Sequence, residues 1–255
     1  MKLLSFLLTF LFTINIVRST STNLDLDNYC GLQYNPELAE KQSVNSKFEV
    51  YYFPIKGRAE PIRLILSFAK ANWDNKKIED WGKEKFSTKG LLFKQVPMLI
   101  ETTTYGEENR LVETGSIIRY IARVFGLGNK EPFKNSLLDS YFEGLYEVFC
   151  KVISIPFITK EKEKVPELIK EDKLVKNFLD YHEDILKENG SNGYYMDNKL
   201  TYVDVVASCV IDNYMTFTGL SFSDVKEIYP NLAKVYENVN MNEDIIAYKN
   251  SSKCL

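Results

Sequence analysis

Histidine is almost absent from this chain and cysteine is scarce. Among 255 residues there is one histidine and there are four cysteines. His182 lies in a charged helical stretch and reads as part of a solvated face, so the chain offers nothing for a His-based triad or a multi-His metal site. Cys30, Cys150, Cys209 and Cys254 show no metal-ligand spacing. Cys150 and Cys209 fall in apolar helical stretches, which suits buried free thiols. Charge of one sign is lacking too: 32 basic against 35 acidic residues give no nucleic-acid footprint. Repeats and low-complexity tracts are missing, and the run Lys160-Glu161-Lys162-Glu163-Lys164 alternates in sign as a solvated helix end or loop does.

Long apolar runs are also missing, except at the start. Met1-Lys2 is basic, Leu3 to Val17 is apolar apart from Ser5, Thr9, Thr13 and Asn15, and Arg18 to Ser21 turns polar. This is a secretory signal pattern over residues 1–20, too short and wrongly flanked for a stable membrane span. A retained anchor is the alternative. Residues 21–46 are polar, carry Asn35-Pro36 and lack periodicity, which predicts a mobile arm. A secreted chain would leave Cys30 and Cys254 able to pair. It would also present two glycosylation tripeptides, Asn189-Gly190-Ser191 and Asn250-Ser251-Ser252, in turn-like surroundings.

The most informative segment runs from Phe48 to Arg63. Phe48-Glu49-Val50-Tyr51-Tyr52 is aromatic and β-branched and reads as a strand. Gly57 breaks it, and Glu60-Pro61 opens a helix with proline in the first turn. Ile62, Leu64, Ile65, Phe68 and Ala69 give that helix a buried side. A strand passing through a glycine turn into a helix N-terminus is a natural anion site. Here it also carries a tyrosine hydroxyl and an arginine.

The chain divides near residue 130. Before it, short strands are expected at Lys76–Glu79, Gln95–Ile100 and Arg110–Val112, the last two joined across Tyr105-Gly106. A short helix fits after Trp81. Thr114 is expected to cap a helix stopped by Gly126. The order is β-α-β-α-β-β-α. After residue 130 only helical patterns appear: Leu137–Ile153, Leu168–Leu186, a capping box at Thr201 to Asp204 before a strongly apolar helix, and shorter pieces at Val225–Ile228 and Leu232–Val239.

This architecture and five local motifs resemble the glutathione transferases. The opening Tyr-Phe-Pro-Ile-Lys-Gly-Arg-Ala-Glu, residues 52–60, is most similar to the sigma type, which includes glutathione-dependent prostaglandin D synthases. Asp80-Trp81 with Lys85 is similar to the family's Asp-Trp-x-x-x-Lys. Gln95-Val96-Pro97-Met98-Leu99 is similar to its Gln-x-Pro-x-Leu, whose proline is cis. Glu113-Thr114 with Ile117, Arg119 and Tyr120 occupies the Gln-Ser or Glu-Ser position and its helix, and the capping box at Thr201 also matches. The resemblance covers residues 47 to about 249. It departs in a longer interval between Trp81 and Pro97, and in Glu113-Thr114 for the usual sigma-type Gln-Ser.

The resemblance implies an α/β thioredoxin-like domain at 47–127 and an all-α domain at 130–250, assembled as a homodimer. It implies glutathione as co-substrate and no metal. Tyr52 would be the tyrosine that stabilises the glutathione thiolate, with Arg58 beside the thiol. Tyr51, by strand alternation, should face away. Trp81, Lys85, Gln95, the Val96 backbone and Pro97 would hold the glycine and cysteinyl moieties. Glu113 and Thr114 would take the γ-glutamyl group, the carboxylate favouring its ammonium and the helix N-terminus its carboxylate. An acid of the partner's long helix would join them, Glu147 by position or Glu143 as alternate. Phe53 and Ile55, with the helix around Tyr146 to Ser154, would face a hydrophobic electrophile. The expected activity is glutathione conjugation, with prostaglandin H to D isomerisation as a narrower variant. The competing class is a non-catalytic ligand-binding or crystallin-like structural protein on the same fold.

Overall fold

The computed structural model describes residues 43–255. The expected signal segment, Cys30 and the expected arm as far as residue 42 lie outside the described residues. At the end of that stretch Ser43 and Val44 are helical, Ser43 hydrogen-bonds Tyr120, and Ser46 is buried.

A four-stranded sheet comes first. β1 (Lys47–Tyr52) runs parallel to β2 (Asn72–Lys77) and antiparallel to β3 (Met98–Thr102), and β3 pairs with the edge strand β4 (Glu108–Val112), giving the order β2-β1-β3-β4. α1 (Glu60–Phe68) and α3 (Thr114–Val124) cover one face, packing on Phe48, Val50, Tyr52 and Leu99. α2 (Trp81–Ser87) lies by the other face, where Tyr51, Met98, Ile100 and Val112 form a second cluster. Strand alternation therefore separates Tyr51 from Tyr52 as expected. The Tyr51 hydroxyl donates to Glu84 Oε2 at 2.5 Å, and Glu84 Oε1 accepts the Glu79 and Asp80 amides. This ties the start of α2 to the sheet.

The rest is helical: α4 (Pro132–Ile158), α5 (Val165–Glu171), α6 (Lys173–Glu188), α7 (Tyr202–Thr218), α8 (Phe222–Ile228), α9 (Pro230–Asn240) and α10 (Glu243–Lys249). α7 is the centre, packed against α4, α5 and α9 and also against α1 and α3 of the sheet layer. Its run from Tyr202 to Ile211 is buried on every side, which is why it reads as apolar without a polar stripe. The capping box holds, with Thr201 N and Oγ1 both donating to Asp204 Oδ2 at 2.7 and 2.6 Å.

Several boundaries differ from the sequence reading. The long helix begins at Pro132 rather than Leu137 because Glu131 caps it, accepting from Phe133 N and Lys134 N. It continues past Ile153 to Ile158. The expected helix Leu168–Leu186 is two helices, parted at Asp172, whose carboxylate accepts from Leu174 N and Val175 N. β2 lies earlier than Lys76–Glu79. β3 begins after Pro97, which has no N–H to give a ladder. Thr114 does not cap α3: Glu113 is the N-cap residue and Thr114 the first residue of the helix.

Two surface readings also change. His182 is 2% exposed, with Nδ1 3.1 Å from the Tyr195 hydroxyl, and burial holds its pKa down at about 4. It is a neutral core residue, not a solvated one. Asn189 is no freely presented amide, because its Nδ2 donates to Tyr194 O at 2.8 Å and to Asp197 O at 3.3 Å. Asn250 is exposed. Cys209 is buried, whereas Cys150 and Cys254 are half-buried; all three are free thiols.

Candidate active site

The turn after β1 builds the site. Tyr52, the last residue of β1, brings its ring up beneath a 3-10 turn at Gly57–Ala59. The Arg58 amide donates to the Tyr52 hydroxyl oxygen at 3.2 Å. That bond uses an acceptor position and leaves the hydroxyl proton free to point into the cleft. Gly57 has φ +43°, and a Cβ there would sit 2.9 Å from the Tyr52 hydroxyl oxygen. Glycine is required both by the backbone and by this approach.

A buried ionic network fixes the turn from behind. Arg63 on α1 is 1% exposed and pairs with Glu60 at 3.3 Å. Its Nη1 donates to the carbonyls of Ile55 and Lys56 at 3.0 and 3.2 Å, and its Nε to Asn75 Oδ1 at 2.7 Å. Tyr248 on α10 donates to Glu60 at 2.9 Å, and Asn75 reaches the Lys253 carbonyl at 3.0 Å. Arg63, Glu60 and Tyr248 were not legible as site support, since a proline-led helix with an arginine reads equally well as a surface.

Two adjoining cavities meet at Arg58. The first is a narrow polar cleft lined by Arg58, Gln95, Val96, Pro97, Glu113 and Thr114. The Val96-Pro97 peptide is cis, as the resemblance implies. Glu113 has φ +73°, an unusual conformation for a residue with a side chain, and it directs the chain sharply into α3. The first amides of α3 lack intrahelical acceptors, and Glu113 and Thr114, which open that helix, line this cleft. Thr114 is buried and its hydroxyl lies 3.4 Å from the Arg58 carbonyl. It also hydrogen-bonds Tyr146 of α4, whose pKa burial pushes up to about 12. That hydroxyl therefore stays protonated and pins the start of α3 to α4.

The second cavity is apolar, about 200 Å³, and is lined by Tyr52, Ile55, Gly57, Arg58, Ile153, Ser154, Phe157 and Ile158. Phe157 and Ile158 are each 76% exposed, so their apolar surface faces solvent across it. This wall takes Ile153 and Ser154 from the expected stretch of α4 and continues beyond it to Phe157 and Ile158.

Of the residues singled out in the sequence, Tyr52, Ile55, Arg58, Gln95, Val96, Pro97, Glu113 and Thr114 line these two cavities. Phe53 does not join Ile55. It packs edge-on against Tyr52 and Trp81, ring centroids 5.6 and 5.5 Å apart, because the strand ends at Tyr52 and the bend from Pro54 takes Ile55 away from it. Trp81 and Lys85 sit together on α2, with Lys85 Nζ 6.0 Å from the indole centre, and Trp81 packs beside Val96 on the second apolar cluster. Neither is among the residues that line these two cavities. Glu147 is exposed on α4. Glu143, its alternate, is already paired with Arg119 of α3.

The chain matches two family models: glutathione S-transferase, N-terminal domain, over residues 46–123, and glutathione S-transferase, C-terminal domain, over residues 130–252. It is similar to glutathione S-transferase A of Cavia porcellus, 37% identical over 164 residues, 62% of this chain and 70% of that protein. It is also similar to glutathione S-transferase P of Caenorhabditis elegans, 29% identical over 209 residues, 78% of this chain and 90% of that one. In fold it is similar to the sigma class transferase of Fasciola hepatica, with a TM-score of 0.68 and 21% identity over 83% of this chain and 98% of that one. It likewise matches prostaglandin synthase D of Nilaparvata lugens, with a TM-score of 0.65 and 22% identity over 81% and 98%.

Proposed function

The chain belongs to the glutathione S-transferase family, a family of transferases, and from that premise we propose that it joins the glutathione thiolate to hydrophobic electrophiles. The observation that carries this reading is the Tyr52 hydroxyl, held by the Arg58 amide at the junction of a polar cleft and an apolar one. A peptide thiol and an apolar electrophile need that juxtaposition.

The polar cleft suits glutathione residue by residue. Glu113 offers a carboxylate to the γ-glutamyl ammonium, and the start of α3 offers amides to its carboxylate. Gln95 and the Val96 backbone, which line that cleft, would take the cysteinyl peptide, and Trp81 and Lys85 the glycine end. The Tyr52 hydroxyl donates to the sulfur and favours the thiolate, which is the nucleophile. Arg58, at the seam, adds positive charge on the electrophile side. Ile55, Ile153, Phe157 and Ile158 exclude water from the apolar partner.

Conjugation of a generic aryl halide tests this. Tyr52→Phe should lower turnover by about 10²-fold, the lower end of what losing one such donor costs. Glutathione affinity should stay nearly unchanged, because the carboxylate and amine contacts remain. Undiminished conjugation would move the role to Arg58, and no conjugation by the wild type would favour the binding or crystallin-like alternative.

Finer readings rest on less. The Tyr-Phe-Pro-Ile-Lys-Gly-Arg motif supports a sigma-like subtype, and with it prostaglandin isomerisation as a variant of the same thiolate chemistry. A homodimer is supported by exposed Leu92 and Phe93 in the loop before Gln95, and by Glu147, which is exposed and free to reach a partner's γ-glutamyl amine. Secretion is supported by residues 1–20 and by exposed Asn250.

A further inference from the structure

The last helix of the chain reaches the site from behind. α10 packs against α1, and its Tyr248 is buried, with the ring centre 5.8 Å from that of Trp73 on β2. The Tyr248 hydroxyl donates to Glu60 Oε1 at 2.9 Å, across 188 positions of sequence. Further on, the Lys253 carbonyl accepts from Asn75 Nδ2 at 3.0 Å. The Lys253 ammonium donates to the Trp73 carbonyl and lies 5.0 Å from the Trp73 ring centre. The C-terminal segment therefore touches both side chains that hold Arg63, Glu60 at Nη1 and Asn75 at Nε.

Arg63 passes this constraint to the turn. Its Nη1 has a pair of protons to share among three acceptors: the Ile55 carbonyl at 3.0 Å, the Lys56 carbonyl at 3.2 Å and Glu60 Oε2 at 3.3 Å. Glu60 thus competes with the turn for the same protons. The Tyr248 bond serves the other oxygen of that carboxylate and fixes its orientation. Without this donor a buried acceptor is left wanting, and the carboxylate gains by turning further toward the guanidinium. Protons drawn to Glu60 are lost to the Ile55 and Lys56 carbonyls. The turn that then loosens carries the Arg58 amide, which holds the Tyr52 hydroxyl at 3.2 Å. The guanidinium also lies 5.9 Å from the Tyr52 ring centre, within range of attraction by the ring. Moving Arg63 disturbs Tyr52 by both routes.

We propose that Tyr248 is a positioning residue for thiol activation, acting through Glu60 and Arg63 to hold the Tyr52 hydroxyl on the sulfur, with Lys253 steadying the same arginine through Asn75. This rests on the reading of Tyr52 as the donor to the thiolate. Tyr248 lines neither cavity of the site, so it acts on the geometry of the donor and not on contacts to either substrate. A displaced donor stabilises the thiolate less, while the contacts of glutathione in the polar cleft stay in place.

Tyr248→Phe removes the hydroxyl and keeps the ring. Titrating the ultraviolet absorbance of the glutathione thiolate bound to wild type and to the variant reads the effect without an electrophile. The bound thiol should be about three- to tenfold less acidic in the variant, short of the roughly 10²-fold that a 1 Å misplacement can cost. Turnover of a generic aryl halide should fall by a similar factor, with KM for glutathione nearly unchanged. A wild-type thiol no more acidic than free glutathione would overturn the Tyr52 reading and this proposal together. A thiol acidified in the wild type, and equally so in Tyr248→Phe, would overturn this proposal alone, because a merely structural tyrosine moves the unfolding midpoint and not the thiol. A raised KM with unchanged kcat would overturn it too. If Tyr248→Phe does not fold, removal of residues 253–255, which frees Asn75, takes its place. A smaller shift in the same direction is then expected, and an unshifted thiol overturns the proposal.

Discussion

Burial decides what the chain's single imidazole can do. His182 sits against Tyr195, and Gly144 leaves the room for it: a Cβ there would come 3.0 Å from Nε2. With its pKa held near 4, the folded state resists a proton that the unfolded chain takes up near 6.5. The sign follows: this group's stabilising preference for the fold is complete above about pH 6.5 and is lost as pH falls toward 4. Between about pH 7.5 and about pH 5 the loss should be about 2 kcal/mol. Urea unfolding of wild type and His182→Phe at both pH values isolates it, because every other titrating group is common to the two. An equally steep pH dependence in the variant would contradict the assignment. The sequence could not show this burial. Its local surroundings are charged, and the partner Tyr195 comes from a loop after the helix, brought back by the Asp204 carboxylate accepting the Tyr195 amide at 2.9 Å.

At the scale of elements, the site depends on how firmly α1 holds the turn at residues 55–58. Arg63 reaches two carbonyls of that segment and neutralises Glu60 in a dry core. Arg63→Met should destabilise the protein by roughly 3–5 kcal/mol, since it leaves a buried carboxylate unpaired. The double variant Arg63→Met/Glu60→Gln should recover part of that loss. Chemical unfolding of the single and double variants measures both, and additive losses would rule out a coupled pair. Much of this layer was legible in advance. The β1 strand, the glycine turn, the proline-led α1, the β3–β4 hairpin and the capping box of α7 all carry strong local signals, and the structure has each. The misses share a cause. Asp172 splits a helix through a side-chain cap inside a continuous apolar pattern, and Glu131 extends one beyond its apolar stripe. Phe53 was placed with Ile55 because the motif names residues in order and not the faces they occupy.

At the scale of the whole molecule, assembly and destination each carry a test. If a partner's Glu147 completes the γ-glutamyl contact, the protein elutes as a dimer. Glu147→Ala should then weaken glutathione binding by about 1–3 kcal/mol, the scale of a charged hydrogen bond. A fully active monomer would remove both ideas. If residues 1–20 direct secretion, protein from a eukaryotic secretory host should have lost them and should carry glycan at Asn250 rather than at Asn189. Intact mass before and after deglycosylation reads this, and a cytosolic product still starting at Met1 would refute it.

The central claim is that Tyr52 stabilises a thiolate on bound glutathione. Titrating the ultraviolet absorbance of that thiolate against pH, in wild type and in Tyr52→Phe, tests it without relying on any particular electrophile. The account predicts a bound thiol pKa well below that of free glutathione in the wild type, returning toward the free value in the Phe variant. A bound thiol that titrates identically in the two proteins would contradict it.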